Sequence, residues 1–238
     1  LDADSGFDRG AVSRPVVAAD PTGGYRMAYA GRKGSVTTIG VATSADGLQF
    51  NKVGQALNVG ADWDAADVAP GGLIARDDGS WQLWYAGGDG DNWRIGSAIS
   101  SDGERFTREE GAQGWQFGTG APGDWDDSGV RDPWVVAGED DDGRSGLHLW
   151  YSGFDGDQWR GGYAFRPDDT GVWERAARAS DDTPRPVLIA EGGLFHPVGA
   201  ERPVVVPTDN GWTGWYAGSA EGASRVGLLR GASPDRLN

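Results

Sequence analysis

The chain alternates short apolar runs with turns rich in glycine and aspartate, and the same order of runs recurs four times. In each repeat an aromatic and a polar residue precede a proline that leads into a small apolar run, as at Phe7-Asp8 and Pro15-Val16-Val17. A second run ends in tyrosine, a small residue and glycine, and a third places one glycine among apolar residues. Short apolar runs bounded by turn residues are typical of β-strands. The second run ends in Tyr29-Ala30-Gly31, Tyr85-Ala86-Gly87, Tyr151-Ser152-Gly153 and Tyr216-Ala217-Gly218.

A turn follows the third run and leads into a fourth strand. Asp46-Gly47 and Asp102-Gly103 mark this turn, because glycine accepts the positive φ that such turns require. Three strands, a turn and a fourth strand at this repeat length are typical of propeller blades. The sequence therefore predicts an all-β fold with negligible helix, a single β-propeller domain of four-stranded antiparallel blades. The domain spans residues 1–238, with repeats at about 7–60, 61–122, 123–190 and 191–238. The alternative is a β-sandwich, but sandwiches do not repeat a four-strand unit.

The last repeat stops early. Ser233-Pro234-Asp235 matches the turn, and the sequence ends where the next repeat element would begin, so the last blade is predicted to lack its outer strand. We expect Leu1 to Gly6 or a second chain to complete this blade, because an unpaired edge strand invites association. A homodimer through the incomplete blade is thus one prediction. A further blade outside the given sequence is the alternative, which leaves the number of blades open between four and five.

Composition excludes several classes of partner. The formal net charge of −15 repels phosphate backbones, so nucleic acid is not expected as a partner. The apolar runs are all too short to span a membrane, so no membrane partner is expected either. The absence of cysteine excludes disulfides and thiolate metal sites, and it is compatible with a secreted or extracellular protein.

These motifs together resemble the five-bladed β-propeller glycoside hydrolases of family 43, the arabinanases and xylosidases, which are related to families 32 and 68. The resemblance rests on Trp-Asp ahead of the proline strand, Trp-Tyr-Ala-Gly, and Ile-Gly-x-Ala with Ser-x-Asp-Gly. It implies that Asp132, before Pro133, is the pKa-tuning aspartate, and that Glu201 is the general acid. The second-repeat element of that family matches Ala69-Pro70. The position of the general base holds Arg14, so the sequence departs from the family there.

The residues themselves support a site at the same place. Asp132 and Glu201 lie at the start of strands that the repeat places innermost, so both are predicted to face the central funnel. Two carboxylates in one confined pocket favour protonation of one of them, which suits a general acid. The alternative is an ion-pair network that only satisfies charges around the channel. Asp67 is the better candidate for the missing base, and Asp8 is the second.

Further residues are predicted to bind substrate or to shape the fold. Arg14, Arg131 and Arg202 are candidate counter-charges or donors to substrate hydroxyls, and Trp134 offers a face for sugar stacking. His196 replaces the recurring aspartate and is predicted at the funnel entrance. The aspartates that recur after the aromatic residue are predicted to be structural caps or turn residues. They are Asp8, Asp64 and Asp126.

No cofactor is predicted, although calcium is considered. Asp89-Gly90-Asp91 and Asp155-Gly156-Asp157 cluster carboxylates, but neither has EF-hand spacing, so both are interpreted as solvated hairpin tips. The leading functional hypothesis is a glycoside hydrolase acting on a polysaccharide or oligosaccharide. The alternative is a catalytically inactive propeller that binds carbohydrate, which Arg14 at the base position suggests. A protein-interaction propeller is a third hypothesis, for which the sequence offers no specific feature.

Overall fold

A computed structural model provides the structure, which describes residues 1–3, 6–111, 113–177, 182–188, 199–220 and 223–237. These residues form fifteen β-strands and no helix, which confirms the all-β prediction. Within this part of the chain, no helix has the length and apolarity of a membrane span. The chain divides into two compact units, Leu1–Gly118 and Thr119–Asn238. The prediction that residues 1–238 form one domain with the four repeats given above stays a prediction.

The first unit contains two four-stranded antiparallel sheets. Each sheet follows chain order, and one parallel pair between Thr37 and Asp67 joins them. The first sheet comprises β1 (Ala11–Ala19), β2 (Tyr25–Lys33), β3 (Val36–Ser44) and β4 (Asn51–Leu57). The second comprises β5 (Asp67–Ala75), β6 (Trp81–Gly88), β7 (Trp93–Ser100) and β8 (Thr107–Glu109).

The second unit contains one four-stranded and one three-stranded antiparallel sheet. The four-stranded sheet comprises β9 (Gly129–Glu139), β10 (Ser145–Phe154), β11 (Trp159–Pro167) and β12 (Glu174–Arg175). The three-stranded sheet comprises β13 (Gly199–Thr208), β14 (Gly211–Ala220) and β15 (Ala223–Gly231). The prediction of four-stranded blades with an incomplete last blade is therefore confirmed. What completes that last blade stays a prediction.

The predicted Asp-Gly turns form as the sequence requires. The Asp46 carboxylate accepts hydrogen bonds from the backbone N–H groups of Leu48 and Gln49, and Gly47 follows with a φ of 77°. Asp102 and Gly103 repeat this geometry in the second sheet. The short polar side chain and the glycine thus fix the same reversal twice.

A buried Asp–Tyr–cation cluster recurs in the three four-stranded sheets. The aspartate that follows the aromatic residue is almost completely buried, accepts a hydrogen bond from the tyrosine hydroxyl of the second strand, and pairs with a cation on the fourth strand. In the third cluster the Tyr151 hydroxyl lies 2.8 Å and the Arg175 Nε 3.0 Å from Asp126 Oδ2. Burial, and then the negative charge of Asp126, raise the pKa of Tyr151 well above 10.0, which keeps its hydroxyl a donor. The clusters are Asp8, Tyr29 and Lys52; Asp64, Tyr85 and Arg108; and Asp126, Tyr151 and Arg175.

This cluster corrects the predicted role of the recurring aspartates. They are structural, as predicted, but their carboxylates bind across the sheet instead of capping a local turn. The aromatic residue before each aspartate packs on the same tyrosine and on the glycine of the third strand. A Cβ at Gly96 would lie 2.6 Å from Trp63, and one at Gly162 would lie 2.6 Å from Trp125. Only glycine therefore fits beneath the ring, which explains the Ile-Gly-x-Ala run.

A buried histidine lies beside the core of the second unit. His148 is fully buried and contacts the rings of Trp150, Trp212 and Phe165. Its Nε2 donates to the Glu139 carbonyl at 3.2 Å, so Nδ1 accepts from the hydroxyl of Tyr163 at 2.8 Å. Burial lowers the pKa of His148 from its ordinary 6.5, and this outweighs the opposing effects of the Glu139 carbonyl and of Asp140 and Asp141.

Loss of the cation from a cluster should destabilise the fold strongly. Arg175→Met leaves the buried Asp126 charge without its ion-pair partner, so we expect a loss of about 3–5 kcal/mol in the free energy of unfolding. Tyr151→Phe removes one donor and should cost about 1–3 kcal/mol. Urea unfolding measures both. As a control, Arg236→Met removes an exposed ion pair with Asp235 and should leave the urea midpoint nearly unchanged. Equal effects of Arg175→Met and Arg236→Met would contradict the buried role.

Acid should destabilise the protein through His148. The folded state keeps the imidazole neutral, whereas the unfolded state binds a proton as the pH falls below 6.5. Stability from this group is therefore complete above that pH and is lost below it, by up to about 1.4 kcal/mol per pH unit. Urea unfolding between about pH 8 and pH 5 should show this slope in the wild type. The slope should be smaller in His148→Gln. Identical slopes in the two proteins would show that His148 does not cause the pH dependence.

Candidate functional site

The first strands of three sheets share the same unusual backbone step. The pairing register shifts at Arg14-Pro15, Asp132-Pro133 and Arg202-Pro203, which marks a β-bulge at each. The residue before each proline has a positive φ, 51° at Arg14, 53° at Asp132 and 55° at Arg202. This conformation is uncommon for a residue with a side chain, and proline favours an extended residue before it. Bulges re-aim side chains, and strained backbone is concentrated at functional sites, so these three positions are candidates.

The second unit brings four of the predicted site residues into one ionic cluster. Arg131 Nη2 donates to Glu201 Oε2 at 2.7 Å, and Arg131 Nε lies 3.2 Å from Asp132 Oδ2. Arg202 Nε lies 3.7 Å from the same Asp132 oxygen. The side chains of Arg131, Asp132 and Glu201 are 17%, 11% and 15% exposed, so a solute can still reach them. We call these four residues the carboxylate–arginine cluster.

Aromatic side chains and a serine hold the carboxylate–arginine cluster in place. The Arg131 guanidinium carbon lies 3.6 Å from the centre of the Trp159 ring, which stacks in turn on Phe154 at 4.8 Å and 18°. The backbone N–H of Arg202 donates to Ser152 Oγ at 2.9 Å. Arginine on an indole face gains a cation–π attraction and loses side-chain freedom. The guanidinium can thus hold two carboxylates at a fixed place, and these carboxylates can exchange protons or bind hydroxyl groups.

The first unit contains a cavity of about 310 Å³ that other predicted residues line. Arg14, Asp67 and Ala69 line it, and Trp93 of the β6–β7 hairpin contributes an aromatic wall. Asp67 Oδ1 accepts a hydrogen bond from the Thr37 backbone N–H at 2.8 Å, next to the parallel pair that joins the two sheets. We call this space the Arg14 cavity.

Two other predicted residues lie elsewhere. Trp134 Nε1 donates to the Val205 carbonyl at 2.6 Å. The Trp134 ring packs against the core of the second unit. His196 lies outside the described residues. The roles proposed from the sequence for these residues, and for those of the two sites above, stay predictions.

The acidic hairpin tips have local partners. Asp89 accepts from the N–H groups of Asp91 and Asn92, and Asp155 does the same for Asp157 and Gln158. Burial raises the pKa of Asp155, but these hydrogen bonds and the Arg160 pair outweigh it and hold the pKa at about 2. Across the described ranges, no group of three or more His, Cys, Asp or Glu side chains is placed to hold a metal ion.

The sequence interpretation missed three residues of these sites. Ser152 stands where the other repeats have alanine between tyrosine and glycine, and that single exception was a usable signal. Trp159 lies against the guanidinium of Arg131, whereas the sequence pointed only to Trp134 as an aromatic face. Arg32 lines the Arg14 cavity. It directly follows Tyr29-Ala30-Gly31, but no arginine recurs at this position in the other repeats, so the repeat pattern did not indicate it.

Comparison with solved structures shows the fold. The chain is similar to a thermostable family-43 glycoside hydrolase, with a TM-score of 0.67 and 16% identity over 91% of this chain and 71% of that one. It is also similar to a structure from the GH130 family of mannoside phosphorylases, a family that contains glycoside hydrolases that target β-1,2 mannosidic linkages in Candida mannan. That TM-score is 0.71 at 16% identity, over 95% of this chain and 71% of that one.

A third similar structure is a β-1,2-mannobiose phosphorylase from Listeria innocua, with a TM-score of 0.66 and 16% identity over 93% of this chain and 58% of that one. No protein-family model and no curated protein matches the chain. At these identities the likeness establishes the fold, the β-propeller that the repeat predicted, which the chain shares with glycoside hydrolases. Five blades and membership of family 43 stay predictions.

The Arg131–Glu201 contact should be measurable as a coupling energy. In a double-mutant cycle of Arg131→Met and Glu201→Gln, the two effects on unfolding should differ from additivity by about 0.5–3 kcal/mol, because each residue's partner is mostly buried. Urea unfolding gives the four free energies. As a control, Arg144→Met combined with Glu201→Gln should be additive, since Arg144 pairs with Asp140 and Glu174. A coupling within error of zero for the first pair would contradict the bridging geometry.

Proposed function

We propose that the protein is a carbohydrate-active enzyme that cleaves a glycosidic bond, with Glu201 as the proton donor. The observation that carries the proposal is the carboxylate–arginine cluster, in which Arg131 contacts both Glu201 and Asp132 at two strained inner-strand bulges. Glycoside cleavage needs a carboxyl group that protonates the leaving oxygen and a second carboxylate that acts as the base or the nucleophile. The fold likeness to glycoside hydrolases and phosphorylases supports the same class of reaction.

The reaction follows from the chemistry of these groups. Glu201 transfers its proton to the glycosidic oxygen as the bond between that oxygen and the anomeric carbon breaks, so the leaving sugar departs as an alcohol. A water molecule forms the new bond to the anomeric carbon and gives its proton to a carboxylate base. Asp132 adjusts the protonation of Glu201 through their shared contact with Arg131, and Arg202 neutralises Asp132. Asp67 is our candidate for the base.

The substrate is proposed to be a neutral or acidic polysaccharide or oligosaccharide, and the protein a secreted one. The mannosidic linkages named for one similar structure make mannan fragments a first choice, beside arabinan, xylan and fructan. The anomeric configuration of the product, followed by proton NMR, distinguishes an inverting from a retaining mechanism. Inversion requires a base about 6.5–9.5 Å from the acid, and retention requires a nucleophile at about 5–5.5 Å.

A second candidate function is carbohydrate binding without catalysis. The specific observation in its favour is Arg14, which occupies the position where the family resemblance implies the general base. An arginine cannot take a proton from water at neutral pH, because its guanidinium stays protonated. In this alternative the carboxylate–arginine cluster holds sugar hydroxyl groups and no bond is broken.

Glu201→Gln distinguishes the two functions. In the enzyme, the amide cannot donate the proton, so the rate on a matched glycoside should fall at least about a hundredfold with little change in binding. The assay is reducing-end release from fragments of mannan, arabinan, xylan and fructan, together with calorimetric binding of the same fragments.

Glu104→Gln serves as the matched control, because Glu104 lies exposed in a turn and its change should leave the rate at the wild-type level. Release of no sugar from any fragment, combined with binding of one of them, would replace the enzyme by the binding function. An unchanged rate in Glu201→Gln would remove Glu201 from the mechanism.

A further inference from the structure

Trp159 lies against the side chain that contacts both carboxylates of the carboxylate–arginine cluster. The Arg131 guanidinium carbon is 3.6 Å from the centre of the Trp159 ring, which is the contact distance of two flat groups that meet through their faces. A guanidinium group donates its hydrogen bonds in its own plane. A contact through the face therefore leaves the N–H edge for the carboxylates. Arg131 Nη2 donates to Glu201 at 2.7 Å, and Nε lies 3.2 Å from Asp132.

Phe154 occupies the other face of the indole. The two rings stack at 4.8 Å with 18° between their planes. Phe154 and the Arg131 guanidinium would overlap if both lay on the same face of Trp159, so they lie on opposite faces. Neither indole face is then open to a sugar ring. Trp159 therefore supports Arg131 and is not a platform for sugar stacking.

Strand pairing sets these side chains on one face of their sheet. Trp159 on β11 is paired with Phe154 on β10, and Arg131 on β9 is paired with Ser152, two residues before Phe154. Paired residues, and residues two apart in one strand, point to the same face. The antiparallel ladder thus carries the indole. A side chain on a strand can hold another group more precisely than one on a loop.

The second sheet contains the tryptophan without the other two groups. Trp93 begins β7 as Trp159 begins β11, but it is paired with Gly88, which offers no ring. Val68 stands where the third repeat has Arg131. The stacked phenylalanine and the arginine therefore occur together in one repeat. This pairing indicates that the stack serves the arginine.

We propose that Trp159 is a positioning residue, which holds Arg131 so that Glu201 stays at the place from which it donates its proton. A free arginine side chain has many rotamers, and a group that must become ordered during a reaction raises the barrier. Contact with the indole orders the guanidinium before the substrate arrives. The expected effect on the rate rests on the proposed function. The expected effect on the Arg131–Glu201 contact does not.

Urea unfolding of the full chain tests the contact without any substrate. The coupling between Arg131→Met and Glu201→Gln is measured in the wild type and again in the Trp159→Leu background. Trp159→Leu should reduce this coupling to less than about half, whereas Trp159→Phe keeps an aromatic face and should retain most of it. Trp173→Leu is the matched control. It removes another arginine–tryptophan contact, 5.0 Å from Arg166, and should leave the coupling unchanged.

The rate on a cleaved saccharide fragment tests the consequence for the reaction. Trp159→Leu should lower kcat at least about tenfold with little change in KM, because the proton donor is misplaced while the sugar contacts remain. Trp159→Phe should recover most of the rate, and Trp173→Leu should leave it unchanged. Adding Trp159→Leu to Arg131→Met should cause no further loss, since the indole acts through the guanidinium.

The outcomes separate this inference from the proposed function. Circular dichroism first checks that the variants are folded, and Trp159→Met replaces Trp159→Leu if the latter does not fold. The inference is overturned if the coupling is unchanged in Trp159→Leu, or if that change lowers kcat equally with and without Arg131. If no fragment is cleaved, the proposed function fails and the coupling alone decides: a lowered coupling supports the role of Trp159, and an unchanged one refutes it.

Discussion

The buried Asp–Tyr–cation cluster is the constraint on which the sheets depend. An almost completely buried aspartate lowers the stability of the folded state unless a cation and a hydrogen-bond donor contact it. Each four-stranded sheet must therefore bring its second and fourth strands to that carboxylate. Arg14 follows Asp8 by six residues and Asp132 follows Asp126 by the same interval, whereas Ala69 follows Asp64 by five. In the first and third repeats, the residue before the proline therefore lies at the same distance along the chain from the buried aspartate.

Among the described residues, the three-stranded sheet exposes apolar side chains whose counterparts are buried in the four-stranded sheets. Trp215, Val226 and Leu228 are 43%, 74% and 50% exposed. In contrast, Trp84 and Trp150, which occupy the place of Trp215 in their repeats, are fully buried. Trp150 is covered within its own unit by Trp212 and the rest of the core. The same sequence pattern is thus buried at Trp84 and Trp150 and exposed at Trp215, so pattern alone does not determine burial.

The sequence predicted the parts of the fold that local chemistry determines. The repeated runs, the Asp-Gly turns and the early end of the last repeat predicted the strands and their order. The proline positions predicted that Asp132 and Glu201 lie close together, and both contact Arg131. It did not reveal the partner of Asp126, because Arg175 lies 49 residues away and the equivalent cation is a lysine in the first sheet. It also did not foresee the positive φ at Asp132, since proline normally favours an extended residue before it. Both depend on long-range register, which a local pattern does not contain.

The position before the proline carries side chains of different chemistry in different repeats. The position before the proline holds Arg14, Ala69, Asp132 and Arg202 in turn, and the three polar residues share nearly the same positive φ. In the second repeat the bulge falls after Pro70, and the alanine there needs no strained backbone. The strain therefore accompanies the polar side chains, not the proline. Because the buried clusters hold the frame independently of this position, its side chain can change from cation to carboxylate without a change of fold. That separation lets one repeat supply an arginine and another a carboxylate beside Glu201.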